Sequence, residues 1–149
     1  LLMPADGVYE GEQHLAYNRH AAKQQRMSPS EGDWSNGYQL LWHGEVGKSM
    51  PVSFKVGKAY KGPMTAGFTL GPDYGICEVL LDGNELKKAI DLYGPKITPA
   101  PKQKLGTVEL SPGTHKLTFR LTGGNKKARL VKDKFYNLGL DYIALAPAE

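Results

Sequence analysis

Residues 73–93, DYGICEVLLDGNELKKAIDLY, constrain the fold more than any other stretch of the chain. Cys77, Val79 and Leu81 alternate onto one apolar face with Glu78 on the other, the two-residue period of a half-buried strand. Asp82-Gly83 then supplies the left-handed backbone that a short hairpin turn requires. Leu86 and Ile90 restore apolar content on the return, and Asp91-Leu92-Tyr93 leads into a Pro-rich loop. The pattern predicts a central hairpin of an antiparallel sandwich.

The rest of the chain repeats this grammar. Gly62-Pro63, Gly71-Pro72, Gly94-Pro95 and Pro112-Gly113 punctuate short apolar runs, as turns between strands do. Residues 7–17 read as a first strand kinked at Gly11, and residues 21–30 as a polar edge strand or loop. Residues 31–43 begin as a turn and end as a strand, and hold both tryptophans. In residues 48–56, Met50, Val52, Phe54 and Val56 face inward, and Pro51 places the strand at a sheet edge or bulge. Met64, Ala66, Phe68 and Leu70 continue the pattern over residues 60–70. A Pro- and Lys-rich loop is expected over 94–104. Two strands, 105–110 and 114–122, are joined by Ser111-Pro112-Gly113, and a basic loop spans 123–134. Residues 138–146 are apolar on both faces, as in a strand inside a sheet. The expected fold is a single all-β domain over 1–149, an antiparallel β-sandwich or jelly roll.

A chain of 149 residues buries about 70% of its unfolded surface, enough for one core. No run approaches the ~18 apolar residues of a membrane span. The net charge of +4 suits an anionic partner, but it is no nucleic-acid signature by itself, and nucleic acid is not an expected ligand. Cys77 lies on an apolar strand face with nothing nearby to activate it, so it reads as a buried structural thiol. The start, Leu1-Leu2-Met3-Pro4, has no charged or long apolar leader region. It reads as an excised or processed piece of a longer protein.

Three constellations carry chemistry. Glu10 and Glu12 lie on the first strand and Asp141 on the last, strands that are often neighbours in a sandwich. By period, Asp141 shares a face with Ile143 and Leu145. A buried carboxylate needs a partner, and a hard cation such as calcium is one that several oxygens satisfy together; the other reading has Glu10 and Glu12 solvated or paired with Lys and Arg. Trp34, Tyr38 and Trp42 cluster in one strand and its entry loop, with Tyr74, Tyr93 and Tyr136 at other strand ends. Flat aromatic faces in loops stack on sugar rings, and of these Trp34, between Asp33 and Ser35, is the expected exposed candidate; filling of core and rim is the other reading of Tyr38 and Trp42. Lys126, Lys127, Arg129, Lys132 and Lys134 crowd one loop, and Lys96, Lys102 and Lys104 another; such patches hold anionic polymers or are solvated. No nucleophile elbow, zinc-protease motif, P-loop or paired-cysteine metal motif is present, and the four histidines lack ligand spacing, so the domain is not expected to be an enzyme.

The run Trp34-Ser35-x-Gly37-x-Gln39-Leu40-x-Trp42, then Asp73-Tyr74-Gly75, Leu81-Asp82-Gly83, Ile90-Asp91-Leu92-Tyr93, Gly113-Thr114-His115-x-Leu117 and Gly139-Leu140-Asp141-Tyr142-Ile143, resembles β-sandwich modules at the C-termini of large secreted bacterial proteins. Many of those are glycoside hydrolases, including relatives of glycoside hydrolase family 172. The layout is also similar to the galactose-binding-like jelly rolls of carbohydrate-binding module families 6 and 35. Those open on a Glu-x-Glu strand and close on a strand with Asp before an aromatic residue, matched here by Glu10, Glu12, Asp141 and Tyr142. The resemblance implies a non-catalytic module that binds a polysaccharide or oligosaccharide, with a structural calcium held by those carboxylates. It implies an extracellular, periplasmic or cell-surface location and a parent catalytic domain. Trp34, Tyr38, Trp42, Tyr74 and Tyr93 are the expected glycan-binding residues, chosen for their chemistry. The competing expectation is a structural module that packs against a partner domain or its own copy.

Overall fold

The computed structural model describes residues 6–11 and 15–146. Eleven strands follow in order: β1 (Val8–Glu10), β2 (Ala16–Tyr17), β3 (Ala22–Arg26), β4 (Tyr38–Gly44), β5 (Ser49–Val56), β6 (Tyr60–Leu70), β7 (Ile76–Leu81), β8 (Asn84–Asp91), β9 (Thr98–Leu110), β10 (Gly113–Gly123) and β11 (Tyr136–Leu145). One sheet runs β3-β4-β11-β6-β9, with β1 also paired to β11; the other runs β2-β5-β10-β7-β8. All these strand pairs are antiparallel. The chain is the β-sandwich that its alternation predicts. Among the described residues no helix is long and apolar enough to cross a membrane.

The inward faces meet in one core. Phe54, Phe119, Leu117 and Val79 from one sheet pack against Phe68, Met64, Leu138 and Leu140 from the other. Each such burial is worth roughly 1.5–3 kcal/mol relative to exposure. Phe68 and Phe119 meet edge-on with centroids 6.0 Å apart. Tyr9 on β1 crosses the core edge to donate its hydroxyl to the Lys55 carbonyl of the other sheet at 2.6 Å. Cys77 is fully buried, and burial pushes its thiol up to about 12, which keeps it inert.

Three expectations change. The hairpin turn is as read, with Asp82 at φ 48 and Gly83 at φ 87, but the hairpin is not central: β8 is the outer strand of its sheet and most of its residues are exposed. Residues 7–17 are not one strand. The chain leaves β1 at Gly11 and reappears as β2 in the opposite sheet, where β2 covers β5 only at Val52 and Ser53. Gly11 is required because a β-carbon there would strike the Leu140 carbonyl. The expected loop over 94–104 is largely strand, because β9 starts at Thr98 and pairs with β6 through two register shifts; Pro101 falls in one of them, and Pro99 sits in register opposite Thr69. Residues 21–30 settle as the edge strand β3 followed by a short turn. β11 lies between β6 on one side and β4 and β1 on the other, as its two-sided apolarity predicts.

Candidate functional site: the outer face of the larger sheet

β11 shares one flank between two strands placed end to end. β4 pairs with its first half, as far as Leu140, and β1 pairs with Tyr142 to Ala144. Asp141 sits at the seam. Opposite β6, Leu140 pairs with Phe68 and Tyr142 with Gly67, so Asp141 is the additional residue of a β-bulge. The bulge shifts the alternation by one. Leu138 and Leu140 face the core before it, and Ile143 and Leu145 after it. Asp141 therefore does not share the face of Ile143 and Leu145, as the period suggests; it belongs to the outer side of the sheet.

Ser35 closes the seam from above. Its backbone N–H donates to Asp141 Oδ2 at 2.9 Å, and its hydroxyl donates to the Glu10 carboxylate. The Gly11 N–H donates to the Asp141 carbonyl at 2.9 Å. Two predicted carboxylate ligands thus converge on one serine. The third, Glu12, lies outside the described residues. Among the described residues no group of three His, Cys, Asp or Glu side chains forms a metal site.

Ser35 belongs to the loop that carries Trp34, and this loop lies over the sheet. Trp34 is 7% exposed, which overturns its expected exposure. Its indole N–H donates to Thr69 Oγ1 at 2.8 Å. Thr69 donates in turn to the Gln39 carbonyl, and the Gln39 amide donates to Gln25 Oε1 at 2.7 Å and to the Tyr74 hydroxyl at 3.1 Å. Every member of this buried chain has a partner, as burial of polar groups demands. Burial pushes the Tyr74 phenol up to about 12, against the lowering effect of its Gln39 bond. Trp42 is part of the core. Of the five predicted aromatics, Trp34 and Tyr74 are brought together in this chain, and Tyr38 and Tyr93 are half-buried at separate strand ends.

Two glycines shape the outer face. A β-carbon at Gly67 would fall inside the Tyr142 ring, and one at Gly139 would overlap the Gln39 amide. Each glycine is the floor under a side chain laid across the sheet. The Tyr142 hydroxyl accepts the backbone N–H of Lys102 on β9 at 2.9 Å. Lys102 has φ 55, a left-handed conformation that costs a non-glycine residue about 1–2 kcal/mol. Val8, Ser35, Thr65, Lys102, Tyr142 and Ala144 line a mostly apolar groove of about 380 Å³ here. That is within the size range of small-ligand sites. Lys102 also borders a polar groove of about 470 Å³ between β8 and β9, with Lys87, Lys104 and Asp91. Tyr142 and Lys102 are not among the expected glycan-binding residues, although the sequence marks Tyr142 in the closing strand and Lys102 in a basic loop. The available signal was Gly67, an isolated glycine in an apolar strand, which marks a close approach.

No protein-family model matches the sequence, and no curated protein matches it. Solved structures do. The chain is similar to a segment of a Paenibacillus xanthan lyase, with a TM-score of 0.74 and 18% identity over 97% of this chain and 13% of that one. It is similar to a family 35 carbohydrate-binding module from Clostridium thermocellum, with a TM-score of 0.56 and 19% identity over 93% of this chain and 97% of that one. A Podospora anserina GH26-CBM35 β-(1,4)-mannanase matches with a TM-score of 0.56 and 17% identity over 97% of this chain and 28% of that one. The chain thus spans a small part of the two enzymes and nearly all of the isolated module. Its fold is the antiparallel β-sandwich of the family 35 carbohydrate-binding modules.

Proposed function

We propose that this domain is a non-catalytic carbohydrate-binding module of a secreted bacterial protein, holding glycan in the groove beside Tyr142. The observation that carries the reading is Tyr142 itself. Its ring is seated on Gly67, its hydroxyl is fixed by Lys102, and it lines an apolar groove edged by Ser35, Thr65 and Lys102. A held aromatic ring with polar groups at its rim suits a sugar, which offers an apolar ring face and a hydroxyl edge. The stacking role first assigned to Trp34 passes to Tyr142. Trp34, Tyr74 and the Gln39 chain support the sheet beneath, and Tyr38 and Tyr93 are not among the residues that line the groove.

A structural calcium fits the seam. Glu10 and Asp141 bring hard oxygens to one point, the donor type calcium takes, and Glu12 is the third ligand in this proposal. The ion would lock β1 to the Ser35 loop and so steady the wall of the groove. The likeness to one segment of longer enzymes supports a place beside a catalytic domain, and a location outside the cytoplasm is part of the same proposal.

The test is titration of the isolated domain with neutral and acidic polysaccharides, comparing wild type with Tyr142→Ala. Saturable binding that falls at least about tenfold in the variant, with the fold retained, supports the reading. A folded wild type that binds none of them shifts the groove to the packing role, in which its apolar wall meets a partner domain or a second copy.

A further inference from the structure

The geometry points to a second binding surface, the loop 124–134, that takes a polyanionic glycan chain. The segment 123–134 holds five of the 19 basic residues and one of the 15 acidic residues. Its net charge of +4 equals that of the entire chain, and the remaining 14 basic and 14 acidic residues cancel. The excess positive charge of this protein therefore resides at one end of the sandwich.

The loop is a built element. The Asn125 side chain donates to Asp91 Oδ2 at 2.8 Å and accepts the Lys127 N–H at 2.9 Å. The Arg129 N–H donates to the Pro72 carbonyl at 2.8 Å. Val131 and Phe135 close a turn with bonds of 2.7 and 3.0 Å. The two residues at the head of that turn, Lys132 and Asp133, have φ of 53 and 57. Such a turn favours Gly, Asn or Asp at both positions. A lysine there sacrifices local backbone ease and places a cation at the tip. Residues held against backbone preference concentrate at functional sites. Among the described residues only Lys134 of the five cations is in an ion pair, with Glu45 at 3.6 Å. Lys126, Lys127, Arg129 and Lys132 are left facing outward around the exposed Leu130.

This surface is separate from the groove. The loop ends at Tyr136, and Tyr142 stands six residues further along β11, about 20 Å away. The loop's one aromatic, Phe135, is half-buried against His43 and under the Lys134 ammonium, so it offers no open face for a base. That favours a polyanion read by charge alone. The choice of glycan among polyanions rests on the carbohydrate-binding reading above.

The experiment measures binding to polygalacturonate, dextran sulfate and a 20-base-pair DNA duplex across a salt series. It compares wild type, the fourfold variant Lys126→Gln, Lys127→Gln, Arg129→Gln, Lys132→Asn, and Tyr142→Ala. Counterion release at four cations predicts a slope of log affinity against log salt of about −3 in wild type. The fourfold variant is expected to lose about tenfold or more in affinity at low salt, with a slope near zero. Asn suits the left-handed backbone at position 132, so its melting temperature should not fall. A loss confined to polygalacturonate or to dextran sulfate names carboxylate or sulfate as the anion. Unchanged affinity and slope in the fourfold variant would overturn the proposal, and so would loop-dependent binding to DNA tighter than to either glycan. Loss in the Tyr142→Ala variant alone indicts the loop and spares the groove. Loss in the fourfold variant alone supports the loop and leaves the groove to its own titration with neutral glycans.

Discussion

His115 and Asp82 tie two turns together: the imidazole Nδ1 lies 2.6 Å from Asp82 Oδ2, and Nε2 lies 2.6 Å from the Ser111 carbonyl. Both partners are acceptors, so the arrangement favours the imidazolium, which donates from both ring nitrogens. Burial alone lowers the His115 pKa, but the Asp82 bond, the Ser111 carbonyl and the Asp82 charge together raise it. Burial likewise raises Asp82, and the bonds from His115 and the Lys116 N–H, with the charges of both residues, bring it below the ordinary value. The Phe54 ring packs on the imidazole, so no other charge faces it from the core side.

The pH dependence follows from those directions. The His115 contribution is complete below its unfolded value of 6.5 and is lost as pH rises through the raised folded value. The Asp82 contribution is complete above 3.8 and is lost as pH falls through the lowered folded value. The clamp is therefore strongest between pH 3.8 and 6.5. Thermal melts should show wild type losing stability above neutral pH and His115→Gln nearly flat over the same range. An equal slope in the variant would mean that another group titrates.

Trp34→Phe keeps most of the buried area and removes the donor to Thr69. A buried acceptor left without its donor costs about 1–3 kcal/mol. The unfolding free energy from denaturant titration should fall by that amount, with the midpoint moving down at unchanged m, while glycan affinity per folded molecule stays near wild type. A variant of full stability and no binding would return Trp34 to the ligand.

Gly67→Ala puts a methyl group where the Tyr142 ring lies. The ring must lift, which releases the Lys102 N–H and fills part of the groove. Overpacking of this kind costs about 1–3 kcal/mol. Titrations should show the variant losing glycan affinity in step with Tyr142→Ala; normal affinity would place the ligand elsewhere.

Calcium added to chelator-treated protein should raise the melting temperature, by an amount equivalent to about 2.7 kcal/mol at a hundredfold excess over Kd. Asp141→Asn and Glu10→Gln should each abolish most of that rise. Absence of any rise in wild type would remove the ion from the seam.

The fold was legible wherever local chemistry decided it. Asp82-Gly83 forms the turn its residues demand, and Met50, Val52 and Phe54 point where their period says. The site was less legible because distant partners decide it. Trp34 is buried by a threonine 35 positions away, and a neighbour in sequence carries no sign of that. Asp141 changes face because one residue too many is threaded opposite Phe68 and Gly67, and a bulge is invisible to a strict two-residue count. Pro99 and Pro101 read as loop, yet β9 keeps Pro99 in register opposite Thr69 and takes Pro101 into a register shift. Gly67 did carry information about Tyr142, but only in combination with a pairing register that the sequence does not print.

The end-to-end arrangement on β11 has a mechanical side. Val8 begins β1 opposite Ala144, near the end of β11, so the two strands leave the sandwich side by side. Tension applied across them peels the three pairs Val8–Ala144, Tyr9–Ile143 and Glu10–Tyr142 in turn, as a zipper opens, where a shearing load would have to break all three at once. The last tooth of that zipper is Glu10, bonded to Ser35. A pull along the polypeptide would therefore reach the seam after about 20 Å of extension, three residues freed from each strand, and slack in the chain would protect the groove that the seam supports.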